Sequence, residues 1–213
     1  NVARGGTFNA TKTAAVAGNL AVQFFGDNTP QPLTLATQAA QPISLHAPGN
    51  IAVAADLNVT SDTLALTADG NIDGNGTAQL GAASLALTGT GIGATTAVDV
   101  GTAVTTALTS TGADAAGNIH LIFHSDLNTN QLTVSNTGAT HAAQVFTFDA
   151  NNITVGADLA AGTGSVALGA TGDIGGAAGT PSGDSVAGTA SGAIGRTAGV
   201  SMDGGTSYTR ATG

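Results

Sequence analysis

The feature that most constrains the fold of this chain is a phrase that it repeats. Residues 63–74 read TLALTADGNIDG, an alternating aliphatic run followed by a Gly turn and a single isoleucine before the next Gly. The phrase returns at residues 84–93 as SLALTGTGIG and at residues 165–176 as SVALGATGDIGG. Leu64 and Leu85 stand 21 residues apart. Self-similarity at roughly this period is typical of a solenoid.

A second phrase, Gly-Asn-aliphatic, opens strand candidates along the chain. It occurs at Gly18-Asn19-Leu20, Gly49-Asn50-Ile51 and Gly117-Asn118-Ile119, with a variant at Asn151-Asn152-Ile153. The runs that follow are short and place aliphatic residues at i and i+2, which is one face of a strand. All 13 acidic residues are Asp, Lys12 is the only lysine, and 32 glycines supply turns. Because the chain lacks Glu and nearly lacks Lys, two good helix formers, we expect an all-β protein.

These patterns predict a parallel β-helix, a solenoid in which each coil of roughly 20 residues forms three short strands. At that length the 213 residues make about ten coils, or roughly 50 Å of stacked strands. We expect a right-handed coil, the usual hand of parallel crossovers. The alternative is a jelly roll or sandwich, which wants longer strands and more hairpin turns. The β-helix predicts inward side chains in stacked rows at Leu64, Leu66, Leu85, Leu87, Val166 and Leu168.

Composition divides the chain into three parts. Residues 1–17 form an N-terminal lead-in or edge coil, and residues 18–176 form the body of the β-helix. Residues 177–213 are rich in Gly and Ala and form either C-terminal coils or a tail. The chain begins in mid-pattern, so we expect it to be a segment or a processed product of a longer protein. Neither end shows a helical or polar cap, which would leave unpaired strand edges at the coil ends.

Charge and cysteine content exclude several function classes. The net charge of −9 opposes binding to nucleic acid and docking to anionic lipid. No run approaches the ~20 apolar residues of a membrane helix, so we expect no membrane insertion. The sequence has no Cys, which excludes disulfides and thiolate chemistry.

The repeats resemble those of filamentous-haemagglutinin-type large bacterial exoproteins. The strings that carry the resemblance are GNIHL at 117–121, LTVSNTG at 132–138 and the Leu-Ala-Leu-Thr phrase with its Gly-x-Ile-x-Gly ending. The resemblance covers about residues 18–176 and implies a right-handed parallel β-helix. It also implies a secreted fibre at the bacterial cell surface, with a role in adhesion or biofilm matrix. The repeat length is irregular, and no amino-terminal secretion domain is evident. Secretion is therefore implied by the resemblance alone.

One stretch has the spacing that opens a calcium-binding loop. Asp69, Asn71 and Asp73 follow the Asp-x-Asn-x-Asp-Gly pattern. Position twelve of such a loop needs a bidentate Glu, but Leu80 stands there. The alternative is an Asx-rich corner without metal. We expect calcium to be dispensable and predict no other cofactor.

The histidines and carboxylates do not form a recognisable catalytic motif. His120 and His124 share a strand face, but four residues separate their Cα atoms by about 13 Å, too far for one metal ion. They are interpreted as surface or corner residues, and His46 and His141 have no acidic neighbour in sequence. There is no Asp-x-Asp or Asp-Asp pair, and no Lys or Arg lies between Lys12 and Arg196. A charged cleft for a polysaccharide-degrading enzyme is therefore not predicted.

The sequence thus predicts a non-enzymatic structural segment of an extracellular fibre. Its uncapped ends predict head-to-tail association with identical copies, which gives an open filament unless the rotation closes. The alternatives are a β-helix glycan-binding module and a polysaccharide-degrading enzyme. Aspartates scattered at corners would favour the scaffold, whereas three or more converging in one groove would favour the enzyme. A glycan or a cell-surface protein is the ligand class expected for an adhesive role.

Overall fold

A computed structural model describes residues 8–12, 20–23, 33–37, 42–54, 56–112, 114–137, 145–195 and 203–210. Nearly all of these residues lie in strands and the turns between them. The strands are β1 (Phe8–Lys12), β2 (Leu20–Gln23), β3 (Leu33–Thr37), β4 (Ile43–Ala47), β5 (Ile51–Ala52), β6 (Leu57–Ala68), β7 (Ile72–Asp73), β8 (Gln79–Gly89), β9 (Val98–Ser110), β10 (Ile119–Phe123), β11 (Leu127–Asn128), β12 (Leu132–Asn136), β13 (Val145–Ala150), β14 (Ile153–Val155), β15 (Leu159–Ala160), β16 (Ser165–Ala170), β17 (Ile174–Gly176), β18 (Pro181–Ala190) and β19 (Asp203–Arg210). Two 3₁₀ turns, Asp114–Gly117 and Thr129–Gln131, complete the described elements.

Every strand pairing among the described residues is parallel, and the strands stack as a β-solenoid. A twelve-stranded sheet runs in the order β15-β18-β16-β13-β10-β9-β8-β6-β4-β2, with β12 also beside β9 and β19 beside β18. Three smaller sheets pair β11-β14-β17, β5-β7 and β1-β3. The all-β parallel solenoid predicted from the repeats is therefore confirmed, and the sandwich alternative is wrong. The right-handed sense stays a prediction.

The core consists of rows of like side chains that run along the axis. Leu64 is aligned with Ile43 on one side and with Leu85 on the other, and all three are buried. Leu66 is aligned in the same way with Leu45 and Leu87. The six residues predicted to point inward are no more than 2% exposed. Because side chains alternate across a strand, these rows turn the intervening Ala and Thr residues outward.

The number of coils is smaller than predicted. One row advances through Ile51, Ile72, Ile92, Ile119, Phe146, Val166 and Val186, which makes about six turns. These turns span roughly 29 Å at about 4.8 Å each. The steps are 20 to 27 residues long, not a constant 21. The two longest steps, after Ile92 and after Ile119, each include one of the 3₁₀ turns, which use residues without adding a coil.

Several strands are longer than the short runs that the sequence predicts. β6, β8 and β9 have 12, 11 and 13 residues. The register shifts within the β6–β8 pair, between Val59 and Thr63, and again within the β8–β9 pair. Each long strand therefore joins two paired segments through a bulge, which bends the strand at a corner of the coil. Within residues 177–213, the strands β18 and β19 pair in parallel and continue the stack.

Candidate functional site

The corners of the coil carry ladders of Asn and Asp side chains. Asn50 accepts a hydrogen bond at Oδ1 from the backbone N–H of Asn71, at 2.8 Å, and Asn71 accepts one from Gly91, at 3.1 Å. Each bond joins residues 20 or 21 positions apart, so each side chain binds the backbone of the next coil. The polar groups that strand ladders leave unpaired at the corner are satisfied in this way.

A second ladder runs through the later coils. Asp126, Asn152 and Asp173 each accept a hydrogen bond from a backbone N–H of the following coil, with N···O distances of 3.2, 2.8 and 2.6 Å. Asp56, Asp73 and Asp158 accept bonds of the same kind. These carboxylates therefore have a structural task, and their oxygens face the backbone of a neighbouring coil.

The ladders explain why Gly precedes the Asn or Asp in the repeated phrase. Gly70 lies directly above the side chain of Asn50, and a Cβ added at Gly70 would overlap Asn50 Oδ1. Gly172 lies in the same relation to Asn152. The residue after each Gly donates its N–H to that same oxygen. A side chain at the Gly position would therefore push the ladder apart.

The predicted calcium residues each have a partner of another kind. Asp69 lies 3.3 Å from His46 Nε2, Asn71 belongs to the corner ladder, and Asp73 accepts hydrogen bonds from the backbone N–H groups of Thr95 and Thr96. Within the described parts of the chain, no group of three or more His or Asp side chains is placed to hold a metal ion. The geometry is that of an Asx-rich corner, and calcium independence stays a prediction.

Three histidines pair with aspartates that the sequence analysis did not connect to them. His46 pairs with Asp69 at 3.3 Å, and the partners of His120 and His124 lie at 2.8 and 2.7 Å. The partners are 23 to 29 residues away in sequence, on an adjacent coil. A search for His and Asp about one coil apart would have found them. His141 lies outside the described residues.

Two of these pairs share the outer face of one sheet. Asp99 on β9, Ile122 on β10 and Asp149 on β13 are aligned across three successive strands. His124 bonds back to Asp99, and His120 bonds forward to Asp149. We call these four titratable residues around Ile122 the outer-face cluster. Two strand spacings separate the Cα atoms of its two aspartates by about 9.6 Å.

Asp99 is the unusual member of the outer-face cluster. Its side chain is only 5% exposed, whereas that of His124 is 43% exposed. Asp99 Oδ1 bonds His124 Nε2, but Oδ2 is buried and has no hydrogen-bond partner among the described residues. A buried carboxylate oxygen without a donor is costly. The exposed histidine is therefore held by a carboxylate that is itself almost inaccessible.

A shallow groove of about 400 Å³ begins at the other aspartate of the cluster. Its lining combines small residues, three threonines, one carboxylate and two larger aliphatic side chains: Ile122, Thr147, Asp149, Ala150, Ala167, Leu168, Gly169, Ala170, Thr171, Ala187 and Thr189. Asp149 lies across Gly169, where a Cβ would overlap its carboxylate. The groove thus presents one carboxylate and three threonine hydroxyls beside an apolar lining of Ala, Gly, Ile and Leu. These groups can accept and donate hydrogen bonds to a polyhydroxylated ligand.

The outer-face cluster differs in two respects from the carboxylate pair of a glycosidase. Paired carboxylates that hydrolyse glycosidic bonds stand roughly 5–10 Å apart and flank the scissile bond. In the outer-face cluster each carboxylate is bonded to a histidine, and Asp99 is buried. The groove is lined by Asp149 and not by Asp99. Three converging aspartates, the pattern expected for an enzyme, are therefore not found in this groove.

No family model, no curated protein and no solved structure matches the chain. Within the described residues, no helix is long and apolar enough to cross a membrane.

Proposed function

We propose that this chain is a non-enzymatic structural segment of a secreted fibre at a bacterial cell surface, of the filamentous-haemagglutinin type. One observation carries the proposal: the carboxylate and amide side chains at the corners form hydrogen bonds that join one coil to the next. Asn50, Asn71, Asp126, Asn152 and Asp173 all bind the backbone of the following coil. Corner side chains that are bonded in this way stabilise the stack along its axis and leave fewer polar groups for a ligand.

The mechanism of such a segment is mechanical. Parallel strands stack along the axis, so the backbone hydrogen bonds of the sheets point from coil to coil. Buried rows such as Leu45, Leu66 and Leu87 add apolar contacts between the same coils. Stretching the fibre therefore loads many hydrogen bonds at once at every coil boundary. Stability in such a stack is close to a sum of nearest-neighbour terms.

The fibre is proposed to grow by head-to-tail contact between coil ends. Uncovered ends of a parallel stack present unpaired N–H and C=O groups, and contacts between two different surfaces generate an open filament. Negative-stain electron microscopy of the purified chain tests this. We expect filaments whose axial repeat exceeds the roughly 29 Å of the six turns from Ile51 to Val186. Dispersed monomers at high protein concentration would contradict head-to-tail growth.

A matched control separates filament growth from aggregation. Leu66→Asp places a charge in a core row and is expected to abolish the coil, so it should give no ordered filament. Thr67→Asp places the same charge one residue away on the outer side of β6, where Thr67 is half-buried. This second variant should keep both the coil and the filament.

A glycan-binding module is the second candidate, because the groove at Asp149 offers a carboxylate and hydroxyl groups beside an apolar lining. Since the net charge is −9, a neutral polysaccharide is the expected ligand. Binding of soluble neutral polysaccharides is measured by isothermal titration. Asp149→Asn should abolish the heat of binding, and Asp158→Asn, which keeps an acceptor for the backbone of Thr180, should retain it. Release of new reducing ends in the same samples would instead support the enzyme.

A further inference from the structure

The corner between β7 and β8 carries the only Asn-Gly pair in the sequence, Asn75-Gly76. Asn75, Gly76 and Thr77 are all exposed. Gly76 has a φ of 79°, and a Cβ added there would meet nothing within 4 Å. Its backbone N–H has no hydrogen-bond partner within the part of the chain that the structure describes. The backbone nitrogen of Gly76 is therefore exposed to solvent and is not held by a hydrogen bond among the described residues.

The side chain of Asn75 is held by four hydrogen bonds. Its Oδ1 accepts from the backbone N–H of Ala78 at 2.7 Å, from that of Thr77 at 3.0 Å and from the Thr77 hydroxyl at 3.2 Å. Its Nδ2 donates to the carbonyl of Ala54 at 3.2 Å. Three donors on one carbonyl oxygen stabilise negative charge there, as the donors of an oxyanion hole do. They make the Asn75 Cγ a better electrophile.

We propose that Asn75 is a site of spontaneous, backbone-assisted deamidation in the folded chain. The Gly76 nitrogen attacks Asn75 Cγ and loses its proton to water, and the charge that develops on Oδ1 is stabilised by the donors from Thr77 and Ala78. The Cγ–Nδ2 bond then breaks, and Nδ2 leaves as ammonia after taking a proton from water. Water opens the resulting cyclic imide at either carbonyl. The net reaction consumes one water, releases one ammonia and leaves Asp or isoaspartate at position 75.

Asn152 provides a matched comparison within the same chain. It is also exposed at a corner, but Ile153 follows it, and a β-branched side chain crowds the attacking nitrogen. Ile153 also donates its backbone N–H to the carbonyl of Asp173 at 2.9 Å. Asn152 Oδ1 accepts a hydrogen bond from the backbone N–H of Asp173, and its Nδ2 donates to Asp126. We therefore expect Asn152 to deamidate much more slowly than Asn75.

The modification would alter one coil boundary. Loss of Nδ2 removes the hydrogen bond to Ala54, on the preceding coil. An isoaspartate also adds one methylene to the main chain, four residues before β8 begins at Gln79. The corner would then loosen between the coil that contains Ile51 and the coil that contains Ile72. Slow deamidation at Asn75 would therefore weaken the contact between these two coils progressively with time.

Peptide mapping by mass spectrometry tests the proposal on the full chain. The folded chain is incubated at mildly alkaline pH, and amide loss at Asn75 is compared with amide loss at Asn152 and with the same sites in the urea-unfolded chain. We expect loss at Asn75 to be roughly tenfold faster than at Asn152 in both states, and at least as fast in the folded as in the unfolded chain. An intact Asn75 in the folded chain, with deamidation only after unfolding, would overturn the proposal.

Two variants separate the folded geometry from the bare Asn-Gly sequence. Thr77→Val removes the hydroxyl donor to Oδ1 but keeps the backbone N–H. It should slow amide loss at Asn75 several-fold in the folded chain and leave the unfolded rate unchanged. Gly76→Ala should slow the reaction in both states, because it crowds the attacking nitrogen. An equal rate for Thr77→Val and the parent chain, both folded, would show that Oδ1 is not activated and would also overturn the proposal.

Discussion

Thr106 is a polar residue inside an otherwise aliphatic row, and replacing it should stabilise the protein. It lies on β9, aligned with Leu85 on one side and Leu132 on the other, and is only 2% exposed. Its hydroxyl oxygen is buried and has no hydrogen-bond partner among the described residues. A buried hydroxyl without a partner costs about 1–3 kcal/mol by mutational measurements. Thr106→Val removes the hydroxyl and keeps the branched shape of the side chain.

The expected gain in the free energy of unfolding is about 1–2 kcal/mol, at the lower end of the desolvation cost because a methyl group packs imperfectly in place of a hydroxyl. For a chain of this size, that gain raises Tm by roughly 2–8 °C. Urea unfolding followed by circular dichroism measures it, and an unchanged m-value would show that the folded and unfolded states keep their compactness.

Thr109→Val is the matched control. Thr109 lies three residues further along β9, and its side chain is half-buried on the outer side of the sheet. Its hydroxyl can reach water, so the substitution should change stability by less than about 0.5 kcal/mol. If Thr106→Val lowered Tm, or matched the control, the Thr106 hydroxyl would have to be satisfied in the folded protein, and the argument from an unpaired buried group would be refuted.

Three further predictions follow from the core, the corner ladder and the predicted metal site. Leu66→Asp should cost at least about 4 kcal/mol, because it buries an unpaired charge, and far-UV circular dichroism should show loss of strand signal. Gly70→Ala should lower the free energy of unfolding in urea by about 1–3 kcal/mol, because the new Cβ displaces Asn50 from its ladder. Gly175→Ala is the control and should be close to neutral, because a Cβ there meets nothing within 4 Å. Equal losses of stability in the two variants would count against the ladder. A calcium chelator should shift Tm by less than the roughly 2–4 °C that about 1 kcal/mol represents, and a larger drop would restore the calcium hypothesis.

Local pattern was sufficient to identify the inside of the coil. Leu64 and Leu66 alternate with Ala65 and Thr67, and the two-residue period of a strand allows only one of these pairs to face the core. The recurrence of the same phrase at Leu85 and Leu87 then implied stacking, because each coil must bury its apolar face against a neighbour. Both inferences rest on spacings of a few residues or on direct repetition, which are visible in a single sequence.

The Gly-Asx phrase was visible but its cause was not. Sequence alone marked Gly70 and Asn71 as turn residues, for which Gly and Asn are common in any case. The stacked coils showed that Gly70 lacks a side chain because Asn50 of the preceding coil lies beneath it. Two of the predicted calcium residues, Asn71 and Asp73, bind the backbone of the next coil, and the third, Asp69, pairs with His46. In sequence alone, such Asx side chains resemble the ligands of a calcium loop.

The solenoid follows from the sequence, because strand alternation and repetition are local properties of the chain. The register between coils emerges only in the folded structure. The step along the axis varies from 20 to 27 residues, and the two longest steps each contain a 3₁₀ turn that the strand repeat does not predict. That register decides the number of turns and places His120 beside Asp149 and His124 beside Asp99. Contacts between coils depend on the sum of all the residues between them, so a single extra turn moves every outward side chain to a new neighbour.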